Sequence, residues 1–158
     1  MPSNSSGGPS EEARLQARLQ AWADGKATLR DVRGYSDEEL YAIARTAYFY
    51  YYQGRLNEAR TLFQGLYAVN PTDPYFAKAL GVVEMAAENP QGAVQAYDVA
   101  LKLAPEDAGA YVGRAEVRLA LGQRGLAADD LRRATQYLEA DEPLFVKASA
   151  MLDALTKR

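Results

Sequence analysis

The chain has 158 residues, of which 48% are hydrophobic and 25% charged, enough apolar material for one domain with a substantial core. It contains neither Cys nor His, which removes disulfides, thiolate and imidazole catalysis and the usual zinc sites, so an enzyme is not expected and neither is a metal or cofactor. A net charge of −3 with both signs interspersed gives no basic face to attract a phosphate backbone, and no nucleic acid partner is expected.

Residues 1–10, MPSNSSGGPS, lack the basic and apolar regions of a signal peptide, and a disordered tail is expected there. Residues 11–34 form an N-terminal helix and connector. Leu15, Leu19 and Trp22 recur at i, i+4 and i+7, acidic residues open the helix, and Gly25 stands just past its end as a C-cap. This stripe is expected to pack on the body of the domain. The sharper reading is a self-association helix, with Leu15, Leu19 and Trp22 as candidate dimerisation residues. Leu29 and Val32 then lead through a connector to Gly34.

The remainder, residues 35–158, repeats. Ser36 is placed as an N-cap with Glu39 closing a capping box, and Tyr35 and Leu40 are spaced as a hydrophobic staple. Leu40 to Pro71 reads as two amphipathic helices joined at Gly54. Gly54 aligns with Glu88 and Gly122, Ala59 with Ala93 and Ala127, Phe63 with Tyr97 and Leu131, and Leu66 with Ala100 and Ala134, each step being 34 residues. Counting each repeat from Leu40, position 8 is Ala47, Gly81 and Ala115. A 34-residue period with small residues at positions 8 and 20, and at 27 in the second and third repeats, and a large one at 24 is the tetratricopeptide pattern. The small side chains let paired helices approach, and position 24 fills the space beside them.

Further along, Asp73 and Pro74 are set as N-cap and N1 of one helix, and Asn89 and Pro90 of the next. Glu88 holds the turn position where Gly is usual, and the Asn-Pro start is expected to supply the turn instead. Asp141 can cap a last helix whose Leu144, Phe145, Ala148, Met151, Leu152 and Leu155 form one apolar stripe, leaving Lys147, Asp153 and Lys157 outside. Such a helix covers the apolar end of a solenoid. No apolar run approaches the ~20 residues that cross a bilayer, so stable membrane insertion is not expected. The fold class is therefore all-α: three helical hairpins in a short solenoid, with an N-terminal helix and a C-terminal capping helix.

A solenoid of this kind presents a concave groove lined by the first helix of each hairpin at positions 2, 5, 9 and 12. The first repeat gives Tyr41, Ala44, Tyr48 and Tyr51, the second Tyr75, Lys78, Val82 and Met85, and the third Gly109, Val112, Glu116 and Leu119. This apolar, aromatic lining suits an extended peptide with spaced apolar side chains. Tyr48 to Tyr52 are five consecutive aromatics that one core cannot absorb; Tyr50 is expected to pack inward and Tyr48 and Tyr51 to anchor a ligand. Lys78 and Glu116 would set its register through hydrogen bonds.

Ser36-Asp37-Glu38-Glu39-Leu40, Tyr48-x-x-Tyr51-x-x-Gly54-Arg55-x-x-Glu58-Ala59, Phe63-x-x-Leu66, Leu80-Gly81 and Ala115-Glu116 followed by Leu119 together resemble the class II chaperones of bacterial type III secretion, over roughly Leu29 to Leu155. The resemblance implies a homodimer of the bacterial cytoplasm that keeps hydrophobic translocator proteins soluble and secretion-competent, with a segment near the substrate's N-terminus in the groove. The chain departs from that pattern at Ala44, where relatives often carry an aromatic, and at Lys78, where an apolar residue is usual. The alternative is a generic tetratricopeptide-repeat adaptor or scaffold. A clamp for a partner's C-terminal carboxylate is not assembled, because Ala44, Tyr48, Gly109 and Gly113 occupy the places that need cationic and amide side chains.

Overall fold

The structure, a computed structural model, describes residues 8–157; residues 1–7 of the expected tail lie outside the described part. Among the described residues the chain is all-α, with no strand. The helices are α1 Glu11–Ala23, α2 Leu29–Arg33, α3 Asp37–Tyr52, α4 Leu56–Val69, α5 Pro74–Ala86, α6 Pro90–Leu103, α7 Ala108–Ala120, α8 Arg124–Gln136 and α9 Pro143–Thr156. The pairs α3/α4, α5/α6 and α7/α8 are the three hairpins, stacked in order, with α9 against α8.

The local signals explain where these helices begin. Ser36 accepts from Glu39 N and Glu39 Oε2 accepts from Ser36 N at 2.8 Å, so the capping box at α3 is complete. Those bonds from Ser36 to the Glu39 carboxylate hold its pKa below the ordinary glutamate value. Leu40 is buried while Tyr35 stays 41% exposed, so the staple is made on one side only. Asp73 and Asn89 cap α5 and α6, each with Pro at N1. At α9 the N-cap is Glu142 rather than Asp141, because Pro143 occupies N1 and fixes the cap one residue before it.

Two further expectations change. The connector holds a short helix, α2, started by a Thr28/Asp31 capping box and stopped by Gly34 in a left-handed conformation, and its Val32 is buried. Glu88 is not bypassed by the Asn-Pro start: it adopts φ 58° itself, matching Gly54 at 73° and Gly122 at 74°. All three repeats thus use the same turn, and the second makes it with a residue whose Cβ disfavours it.

Burial follows the 34-residue step. Ala47, Ala59, Ala93, Ala115, Ala127 and Ala134 are fully buried, as are Phe63 and Leu131, and Tyr97 is 5% exposed. Charged groups reach the interior both between hairpins and within the third one. Glu84, buried on α5, takes a hydrogen bond from Asn89 at 2.8 Å and lies 3.0 Å from Arg60 Nε, close enough to pair although not in line for a hydrogen bond. Asp130, 2% exposed, accepts from Arg114 Nε and Nη2 and from Arg118 Nη1. Along α9, Ala148 is buried and Leu144, Met151, Leu152 and Leu155 pack on the same core, so the capping stripe is present.

The N-terminal helix does not behave as its stripe suggested. α1 is capped by Ser10 and ends in a left-handed Gly25, yet it buries no residue. Leu15, Leu19 and Trp22 are 43%, 42% and 51% exposed, and the helix packs chiefly on α2. The expected packing on the body of the domain is therefore absent.

Candidate functional site

The candidate site is the concave face made by α3, α5 and α7. Its aromatic end is continuous. Tyr41 meets Tyr75 edge-on at 5.2 Å, Tyr75 lies 6.3 Å from Tyr48, and Tyr48 lies 6.3 Å from Tyr51 at a right angle. Tyr48 also rests on Phe63 of the core at 4.9 Å, so one edge of its ring is packing and the other is surface. Burial, then the neighbouring Tyr75, raises the Tyr48 phenol well above the ordinary tyrosine value. Tyr52, 81% exposed, stacks on Tyr48 at the mouth of this cluster and is a lining residue that positional reasoning missed. Tyr50 turns away and lies 4.3 Å under the Arg55 guanidinium, half-buried against the first hairpin's core, as expected.

Not every expected lining residue reaches the groove. Ala44 and Val112 are 1% and 3% exposed and belong to the core, which corrects their assignment. Position 5 points between neighbouring hairpins, and a short side chain there never emerges. Lys78, at the same position, does emerge, because its stem is long enough to cross the gap. Val82, Met85 and Leu119 are half-buried on the core's groove side and Glu116 is exposed.

Polar tethers join each helix of the groove to the next. Tyr41 donates its hydroxyl to Asp73 Oδ2 at 2.6 Å, Lys78 donates to Asp107 Oδ2 at 2.7 Å, and Lys147 of α9 lies 2.5 Å from Glu116 Oε1. Asp73 and Asp107 are also the N-caps of α5 and α7, each using its other oxygen on its own helix. The bond to Asp73, with burial behind it, pushes the Tyr41 pKa up to about 12. Lys78 and Glu116 are thus already engaged within the chain, where the sequence pattern had them free to orient a ligand.

A second missed residue is Tyr97. It comes from α6, yet a Cβ at Gly81 would lie 3.0 Å from its ring and one at Gly113 2.5 Å from its hydroxyl. Those two glycines open a slot through which the ring tip nears the groove. Burial, then the Glu116 carboxylate and Tyr51, holds its phenol far above the usual tyrosine value. The arrangement offers apolar contact area, aromatic faces and a few hydrogen-bonding groups. A separate cleft of about 360 Å³, lined by Tyr67, Leu80, Ala96 and Val99 among others, includes none of the groove positions.

The tetratricopeptide-repeat family model matches residues 45–108 and 78–143. Chaperone protein SicA of Salmonella typhimurium is 30% identical over 146 residues, 92% of this chain and 87% of that protein. The Yersinia enterocolitica type III secretion chaperone SycD, solved in complex with a peptide of the translocator YopD, superposes with a TM-score of 0.70 at 24% identity, covering 76% of this chain and 94% of that one. PcrH of Pseudomonas aeruginosa, solved with the chaperone binding region of PopD, does so with a TM-score of 0.73 at 25% identity, covering 78% and 95%. With the repeat array, the aromatic groove and the SicA match in agreement, the chain belongs to the tetratricopeptide-repeat chaperones of type III secretion translocators, a family of binding proteins rather than enzymes.

Proposed function

We propose that the concave face binds an extended segment near the N-terminus of a hydrophobic translocator and keeps that protein soluble and secretion-competent in the bacterial cytoplasm. The observation that carries this reading is the aromatic run Tyr41, Tyr75, Tyr48 and Tyr51, half-exposed on one wall and continued by Val82, Met85 and Leu119. Masking even part of a membrane-seeking sequence removes an aggregation-prone surface, and binding the soluble form stabilises it by mass action. Among the described residues no helix is long and apolar enough to cross a membrane, which agrees with a chaperone that hands its cargo on rather than entering the bilayer with it.

The test is calorimetric titration of peptides tiling the N-terminal region of a translocator from the same genome. Replacing Tyr51 by Ala is expected to cost about 2 kcal/mol or more in binding, as at other desolvated aromatic anchors. Tyr48→Ala adds to the loss, but its contact with Phe63 requires that the melting curve be checked first. Wild-type affinity in the folded double mutant moves the site off this face.

A second reading, self-association, is favoured by two apolar surfaces left open: the α1 stripe, and the outer face of the first hairpin around Tyr35, Ile43 and Phe49. A homodimer would cover both. Deleting residues 1–25 and following mass by light scattering across concentration is expected to shift the chain towards monomer, and an unchanged mass removes α1 from the interface.

A further inference from the structure

On α5 the groove face reads Tyr75, Lys78, Val82 and Met85, so the one cation stands between an aromatic neighbour three residues before it and an aliphatic one four residues after. Opposite it, at position 2 of the third repeat, stands Gly109, where the first two repeats carry Tyr41 and Tyr75. The two departures are complementary. A Cβ at Gly109 would lie 3.8 Å from Lys78 Nζ and 3.2 Å from Asp107 Oδ1, so the ammonium and its carboxylate fill the space that a position-2 side chain takes elsewhere.

Geometry keeps the ammonium in the groove. Asp107 holds Nζ at 2.7 Å through Oδ2 while Oδ1 caps α7 at Ala110 N, and the Lys78 side chain remains 35% exposed. An ammonium has three donors, and among the described residues this one makes a single hydrogen bond. The aromatic lining therefore breaks midway, at a half-exposed charge pair over bare α7 backbone. A bulky apolar side chain lying there would strip water from the pair without replacing its hydrogen bonds, whereas a carbonyl, amide or carboxylate oxygen would take up a donor.

We infer that Lys78, held by Asp107 over Gly109, is a specificity-determining residue of the groove, selecting segments that place a hydrogen-bond acceptor between two apolar anchors. This rests on the groove being the translocator site. The probe is an array of synthetic peptides with two Leu anchors at varied spacing and the residues between them drawn from Asp, Asn, Ala and Leu, read by fluorescence anisotropy. The wild-type chain is expected to bind Asp- and Asn-containing peptides about tenfold more tightly than their Leu counterparts. Lys78→Met should abolish or invert that order, and Lys78→Arg should keep it. Asp107→Asn, which still caps α7, should widen the gap between Asp and Asn by leaving the cation less neutralised. An unchanged ranking in folded Lys78→Met overturns the inference and leaves the groove reading intact. Should that variant not fold, Lys78→Gln, which keeps a donor but loses the charge, is expected to lose most of the preference for Asp over Leu peptides, and an undiminished preference overturns the inference. Failure of every peptide to bind either protein overturns the groove reading, and the inference with it.

Discussion

The first and third hairpins share one scaffold and differ in what is built on it. At repeat position 23 the first carries Leu62, half-buried beside an open apolar cleft, and the third carries Asp130, 2% exposed and gripped by Arg114 and Arg118. At position 11 the contrast is Tyr50 against Arg118, and at position 2 Tyr41 against Gly109. Positions 8, 20, 24 and 27 hardly vary in burial between the two, because the approach of paired helices fixes them. The hairpin fold is therefore compatible with either an aromatic wall or an ionic cross-link, and the chain places the aromatic one where a ligand would be held and the ionic one where α7, α8 and α6 must be locked together.

Removing Asp130 is the largest test of that contrast. Its loss leaves two guanidinium groups, each 15% exposed, without their shared carboxylate. Asp130→Ala is expected to cost about 3–5 kcal/mol, the range for breaking a buried ion pair from one side. Leu62→Ala, at the same repeat position, removes only part-exposed apolar surface and should cost about 1 kcal/mol. Equal losses by urea denaturation would mean that the ionic network is no more structural than an aliphatic contact.

The second hairpin sharpens the comparison through its glycine. The Tyr97 ring packs 3.0 Å from where a Cβ at Gly81 would sit, so Gly81→Leu must displace the ring or part the helices. A loss of about 1–3 kcal/mol is expected. Because the ring tip nears the groove, the same change should weaken peptide binding. An unchanged melting midpoint would mean that the ring is loosely held.

Much of this was legible in advance, for a physical reason. The 34-residue step, the small residues at positions 8 and 20 and the caps at Ser36, Asp73 and Asn89 are local or periodic, and a single sequence displays them. α2 is legible too, because Thr28 and Asp31 form the Ser/Thr-x-x-Asp/Glu signature of a helix start. What the sequence hid depends on reach across hairpins. Whether position 5 lines the groove turns on side-chain length, so Ala44 and Val112 fall inside and Lys78 does not. Tyr97 stays buried, and its ring tip nears the groove only because Gly113, sixteen residues later, offers no side chain to stop it. Lys78 and Glu116 looked free because their partners, Asp107 and Lys147, lie 29 and 31 residues away.

A smaller effect tests the shared turn. Gly54 and Gly122 take their left-handed conformation without a Cβ, whereas Glu88 takes it at φ 58° with one. The strain of a left-handed non-glycine residue is about 1–2 kcal/mol, partly offset in a Gly variant by the extra entropy of its unfolded chain. Glu88→Gly is therefore expected to gain about 0.5–1 kcal/mol, seen as a higher melting temperature. The reverse change at Gly122, to Glu, should lose a similar amount. If neither moves the transition, the turn does not hold the strain its dihedral implies.

The finest distinction separates the tethers of the two groove halves, since Tyr41 binds Asp73 through a titratable hydroxyl and Lys78 binds Asp107 through an ammonium. The tyrosine's pKa is raised in the folded chain from its ordinary 10.0 to about 12, chiefly by the bond to Asp73, because ionising the hydroxyl would set an anion against a carboxylate. A folded value above the unfolded one means that the folded state holds the proton more tightly. The tether's contribution is thus fully present below about pH 10 and is lost as pH rises towards 12. Comparing the wild-type chain with Tyr41→Phe isolates it. The wild type should be the more stable at neutral pH, and the difference should shrink between pH 10 and 12 while peptide affinity at the aromatic end falls with it. A difference that stays constant across that window would show that the Tyr41 ring, through its contacts with Tyr75 and Phe76, holds α3 to α5 without help from its hydroxyl.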